Sequence, residues 1–330
     1  MTPSVTSNKE LKALLDAKGI VAQAKDNIGA RVGIVDKKGT EYLLKIKEFL
    51  PFMASKMPYN DKYTQSISKD TKDTMVDIDV VHVSGDFASY RGGISLATNL
   101  PNNDKLAIQT GGHHRTVYHK QMREAKYSDG IKEKLNALLN SDYHKYFSTR
   151  ALHDFTILHE NIHSLGPKEG LESLGVYKNI IEENKADMGS IVMLEELKNL
   201  GFYTEDQQKE ILTSWIVAYI YPGANFANAH ATRNIMQHHY MIKNGAITFD
   251  EKDRMKINFF RVTECAREML NKIIRIQLSK NPQKAEEYIS SNAIFSKELE
   301  ILANNLKKVS KRLNSYVEQP LAQKMLRQVL

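Results

Sequence analysis

Residues 152–166 read LHDFTILHENIHSLG. Leu152, Phe155, Leu158, Ile162 and Leu165 recur at spacings of three and four, the signature of an amphipathic helix. His159 and His163 stand one turn apart beside that stripe, so both imidazoles can reach one point. Glu160 is rotated by about 100° from His159, which lets its carboxylate stand beside a metal without binding it. Two neutral nitrogen donors and a neighbouring carboxylate are what a zinc site with a general base requires. A bare H-E-x-x-H also arises by chance on surface helices, so the motif needs support from elsewhere in the chain.

The following helical segment supplies it. Ile180, Glu183, Asp187, Ile191 and Leu194 form one stripe. Two carboxylic acids on a core-facing stripe are costly unless a cation compensates them. Glu183 follows His163 by 20 residues, a separation that a helix, a turn and a returning helix can close. Glu183 is therefore the candidate third ligand of one zinc ion, beside His159 and His163. Asp187 is placed to accept the second N–H of one histidine, and Glu182 can do the same for the other. Ala186, Gly189 and Ser190 are small and let the two helices approach closely. The competing reading is an ordinary acidic run on a surface helix.

A third segment, 225–243, reads NFANAHATRNIMQHHYMIK. His230, Asn234, Gln237 and Met241 share one face. As a cavity lining, this line lets His230 donate to the oxyanion of a tetrahedral intermediate. The other reading, a satisfied half-buried histidine or a solvated face, weighs equally. His238 and His239 fall on other faces and are expected at the surface.

The rest of the chain sets bounds. Its 330 residues, 42% hydrophobic, suffice for a sizeable core. Cys265 is the single cysteine, which excludes a disulfide framework and a cysteine-ligated zinc. No apolar run approaches the roughly 18 residues of a membrane span. The first residues lack a basic start and an apolar stretch, so the expected location is cytoplasmic. The net charge of +7 comes from 46 basic and 39 acidic residues scattered along the chain. It reads as a solvated basic surface. That charge and the short cluster His113-His114-Arg115 are the motives for a nucleic-acid partner, and none is expected.

Residues 8–25 carry a short helical pattern. Residues 30–36 and 40–45 form a hairpin, or a strand leading into a helix, and 42–53 can equally be helical. Val76, Ile78, Val80, His82 and Ser84 alternate with Asp77, Asp79 and Val81, and 76–97 is the most strand-like part of the chain. Residues 88–97 are a second candidate strand. Helices are expected over 116–126, 130–140, 143–165, 171–199, 205–220, 225–243, 250–279, 282–290 and 295–317. The expected class is α+β and predominantly α-helical. A small mixed N-terminal part, 1–110, and a helical zinc-binding body, 111–330, would flank a cleft.

Three segments, LHENIHSLG, IIEENKAD and AHATRN, resemble in this order the zinc, third-ligand and catalytic-histidine regions of the dipeptidyl peptidase III family. The likeness is to its bacterial relatives, which share the plain H-E-x-x-H. A fourth stretch, Asn99-Leu100-Pro101-Asn102-Asn103-Asp104, is similar to the family's N-[IL]-P-N-x-[DE] turn. The resemblance implies that His159, His163 and Glu183 bind zinc and that Glu160 is the base. It further implies that Glu182 and Asp187 hold the histidines and that His230 stabilises the transition state. Asn99 and Asn102 would bind the amine of a peptide substrate. An N-terminal exopeptidase is expected. Arg233 lies near a family arginine, but the local register differs and no role carries across. Family members are usually longer and carry a Glu-x-Tyr element. Glu41-Tyr42 has the wrong spacing for it, which is the pattern expected of a short or truncated member. The alternative is a non-catalytic, zinc-containing peptide-binding module.

Overall fold

A computed structural model describes residues 30–64, 75–84, 97–100, 115–119, 130–226 and 228–314. The segments 8–25, 88–96, 101–114 and 120–126, and with them Asn102 and His113-His114, lie outside the described residues. By compactness the chain groups into two units, Met1–Leu44 with Asp70–Arg123 and Glu318–Leu330, and Lys45–Lys69 with Glu124–Val317.

The first unit contains a sheet of β1 (Ala30–Val35), β2 (Met75–Ser84), β3 (Ala97–Leu100) and β4 (Arg115–His119), in the order β1-β2-β4-β3. β1 is antiparallel to β2, β2 is parallel to β4, and β3 is antiparallel to β4. Of the two readings open for 30–45, the strand leading into a helix is the one adopted. Helix α1 (Lys37–Glu48) follows β1 after Asp36, whose carboxylate accepts from Gly39 N at 3.0 Å. Arg115–His119 is a strand and not the expected start of a helix. A five-residue strand is defined by its partners across the sheet, which local periodicity cannot register.

The second unit is helical. After the short α2 (Leu50–Lys56) come α3 (Ile131–Leu138), α4 (Thr149–His163), α5 (Lys178–Asn199), α6 (Glu205–Ala218) and α7 (Ala229–Lys243). A two-stranded hairpin, β5 (Ile247–Phe249) and β6 (Met255–Ile257), precedes α8 (Phe259–Ser279), α9 (Pro282–Asn292) and α10 (Lys297–Asn314). The expected helix over 250–279 is thus corrected: it begins only at Phe259. Asp250 builds the tight turn before it, accepting from the backbone N–H of Lys252 and of Arg254 and from the Arg254 side chain. The single helix expected over 143–165 is likewise a 3-10 segment, Ser141–Tyr146, followed by α4. Taken together, the chain is predominantly helical α+β. No helix among the described residues is long and apolar enough to cross a membrane.

Helix α5 is the axis of this unit and packs against α4, α7 and α8. Apart from Glu195 and Glu196, every residue from Asn184 to Leu197 is buried, which an amphipathic surface helix would not allow. The contact with α4 is close because Gly189 faces Ile162: a Cβ added at Gly189 would stand 2.6 Å from Ile162 Cγ2.

Candidate metal centre

Three helices converge on one group of side chains. Ser148 caps α4, its hydroxyl accepting from Ala151 N. The buried stripe of Leu152, Phe155, Leu158 and Ile162 then turns His159 and His163 toward α5. Asn228 caps α7 by accepting from His230 N at 2.9 Å and Ala231 N at 3.2 Å, which sets His230 and Arg233 against the same stretch of α5.

His159 Nε2 lies 3.0 Å from His163 Nε2 and 3.6 Å from Glu183 Oε2, and His163 Nε2 lies 3.9 Å from Glu183 Oε1. Donor atoms of these three residues all fall within 4.8 Å of one another. The opposite ring nitrogens are engaged: His159 Nδ1 donates to Asp187 Oδ1 at 2.7 Å and His163 Nδ1 to Glu182 Oε1 at 3.2 Å. A carboxylate only accepts, so each Nδ1 carries the proton and each neutral imidazole presents a lone pair at Nε2. Two lone pairs and a carboxylate therefore face one point, an arrangement that could hold a cation. Zinc–nitrogen bonds of about 2.0–2.1 Å in a tetrahedron put donors roughly 3.3 Å apart. The observed separations bracket that figure, so the donor set fits zinc.

The outer groups are fixed in turn. Glu182 accepts from Gln277 Nε2 on α8 at 2.9 Å and pairs with Lys185 Nζ at 2.7 Å. Lys185 is 0% exposed and also donates to the Leu165 carbonyl, tying α5 to the end of α4. Burial pulls its ammonium down to about 8, against the attraction of Glu182. Burial also opposes ionisation of Glu182, but Lys185, His163 and Lys168 outweigh it and hold the carboxyl well below its ordinary range. For Glu183, burial is overcome by His230, His159, Arg233 and His163, with the same result. Burial opposes charge on His159, and Asp187, Glu183 and Glu160 outweigh it and raise its pKa.

The structure thus brings together His159, His163, Glu183, Glu182 and Asp187. Glu160 is half-buried on α4 with no hydrogen-bond or ion-pair partner among the described residues. His230 is 63% exposed, and its Nδ1 lies 3.2 Å from Glu183 Oε2. Asn99 is in β3, in the other unit. Two readings on α7 change. His238 is not a surface residue: it is 1% exposed, stacks on Trp215 and lies within hydrogen-bond distance of the Asn234 and Ile216 carbonyls. Gln237 does not line open space but donates to Asn184 on α5.

Arg233 is the residue whose part the motif left unassigned. It is 5% exposed. Its Nη1 donates to Glu183 Oε2 at 2.6 Å, and its Nε donates to Asn234 Oδ1 while lying 3.0 Å from Asp187 Oδ2. Two acidic side chains one turn apart in a buried stripe call for a buried cation, a signal read from the sequence as a metal alone, although it could also have found Arg233.

No family profile matches the chain. It is 22% identical over 307 residues to Nudix hydrolase 3 of Arabidopsis thaliana, covering 89% of this chain and 39% of that protein. Among solved structures, dipeptidyl peptidase III from Caldithrix abyssi superposes with a TM-score of 0.76 at 24% identity, over 87% of this chain and 58% of that one. Dipeptidyl-peptidase III from Corallococcus sp. strain EGB superposes with a TM-score of 0.74 at 19% identity, over 92% and 57%. The chain therefore has a dipeptidyl peptidase III-like fold and spans somewhat more than half the length of those two chains.

Proposed function

We propose that this chain is a zinc-dependent peptidase that acts from the N-terminus of peptides, as a dipeptidyl peptidase. The observation that carries the reading is the group of three donors, His159, His163 and Glu183, each histidine backed by its own carboxylate, within a fold shared with dipeptidyl peptidase III. A zinc ion held by these residues supplies Lewis acidity, polarising a carbonyl and lowering the pKa of water toward about 7.

The remaining work falls to the side chains. Glu160 takes a proton from the attacking water on its carboxylate and returns one to the leaving amine. Its lack of a partner among the described residues keeps that carboxylate available. His230, with Nδ1 toward Glu183 and most of its ring exposed, donates from Nε2 to the oxyanion in its doubly protonated form, the proton on Nδ1 being held by Glu183. Asp187 and Glu182 keep each histidine in the tautomer whose Nε2 is a donor to the metal. Asn99 and Asn102 are assigned to the substrate's free amine on the family resemblance, which makes release from the N-terminus the expected outcome.

A peptide-binding module that holds zinc without hydrolysis is the second reading, favoured by the missing Glu-x-Tyr spacing at Glu41-Tyr42. Digestion of a defined peptide mixture with and without chelator separates the two. Loss of two residues at a time, abolished by chelator, supports the dipeptidyl reading, and loss of one points to an aminopeptidase. Intact peptides beside a zinc-loaded protein favour the binding module.

A further inference from the structure

The Glu183 carboxylate is held unevenly. Oε2 accepts from Arg233 Nη1 at 2.6 Å and faces His230 Nδ1 at 3.2 Å. Oε2 also stands 3.6 Å from His159 Nε2, whereas Oε1, 3.9 Å from His163 Nε2, accepts no hydrogen bond among the described residues and is the oxygen left uncommitted. Resting on the metal site proposed above, we propose that Arg233 is a positioning residue that retains one oxygen of Glu183 and leaves Oε1 as the single oxygen offered to the metal.

Arg233 is built for this. Its guanidinium lies over the Tyr219 ring at 5.1 Å, its Nε donates to Asn234, and it is almost wholly buried, so it cannot swing aside. Burial opposes its charge, but Asp187, Tyr219 and Glu183 keep it protonated. The planar guanidinium fork donates to Glu183 Oε2 through Nη1, and its charge lies 3.0 Å from Asp187 Oδ2 at Nε, whose own N–H is donated to Asn234. Asp187 in turn accepts from His159 Nδ1 through its other oxygen. One cation thereby orients a ligand carboxylate and the carboxylate behind a ligand histidine at the same time. A lysine has a single ammonium and cannot reproduce the fork. A carboxylate freed from Arg233 can turn both oxygens toward a cation, filling the position that a catalytic site keeps open for water or substrate.

The test uses cobalt(II) and zinc on the full chain. Four-coordinate cobalt absorbs far more strongly in the visible than five- or six-coordinate cobalt. The wild type is expected to give the intense bands, and Arg233→Lys, which keeps the charge, the weaker ones. Zinc affinity, by competition with a chromogenic chelator, is expected to fall by about 10–100-fold in Arg233→Lys. Arg233→Met leaves two carboxylates unmatched and can fail to fold, so Arg233→Lys carries the test, with circular dichroism establishing its fold. Unchanged bands and affinity in folded Arg233→Lys overturn the assignment while leaving the metal site intact. A wild type that binds neither ion overturns the metal site and the assignment with it.

Discussion

Gly189→Ala probes the link between helix packing and the metal centre. The new methyl would stand 2.6 Å from Ile162 Cγ2, where carbon atoms prefer about 3.5–4.0 Å. Ile162 is fully buried, and its Cγ2 is a branch methyl that moves only by rotating χ1 or by moving α4. Relief by translation needs roughly 1 Å of separation between the helices that carry His159, His163 and Glu183. Metal sites tolerate donor displacements of about 0.2 Å. The substitution also gains about 1 kcal/mol of helix propensity, set against about 1–3 kcal/mol of overpacking. The net cost to folding is therefore small, up to about 2 kcal/mol, while the site is disturbed. The expected result is a folded protein with a modestly lower denaturation midpoint and zinc affinity reduced by at least about tenfold, read by chelator competition and a urea melt. Wild-type zinc affinity in Gly189→Ala would refute the claim that this contact sets the ligand spacing.

Other outcomes follow from the same geometry. Glu160→Gln should keep its zinc and lose peptide hydrolysis by about 10²–10⁴-fold, and wild-type turnover in that variant would remove Glu160 from the role of base. Asp187→Asn should weaken zinc binding by about 10–100-fold, because the amide can also donate and no longer enforces the His159 tautomer; equilibrium dialysis measures it. Cys265 is fully buried and its thiol is pushed up to about 11, chiefly by burial. It should resist alkylation at neutral pH until denaturant is added, as mass spectrometry would record. Glu182 and Glu183 have folded pKa values below the ordinary 4.5. Such groups stabilise the fold above the unfolded value and lose that contribution as pH falls. The metal-free protein should therefore lose stability from about pH 5 to about pH 3, and less so in Glu182→Gln; equal slopes in urea melts would contradict this.

The grouping of His159, His163 and Glu183 was legible in the sequence because it is written in local periodicity. His159 and His163 are one turn apart, and Glu183 and Asp187 share a stripe with apolar residues, so a helical repeat suffices to place them on facing surfaces. The features that escaped are those set by distant partners. β4 is a strand because β2 and β3 flank it, and nothing within Arg115–His119 says so. β6 hides inside the run expected to be helical from 250 because the turn before it depends on Asp250 collecting donors from Lys252 and Arg254. His238 looked solvent-facing on a helical wheel, yet α6 covers it through Trp215 and the Ile216 carbonyl. Arg233 was visible only as a residue near a family arginine in a different register, and its pairing with α5 needed coordinates.

Zinc stoichiometry tests the central claim most directly. Elemental analysis after zinc loading and exhaustive dialysis should find one zinc per wild-type chain. It should find essentially none in His163→Ala or Glu183→Gln, each verified as folded by circular dichroism. Zinc-free wild-type protein, or a full equivalent retained in both variants, would contradict the assignment of His159, His163 and Glu183 as its ligands.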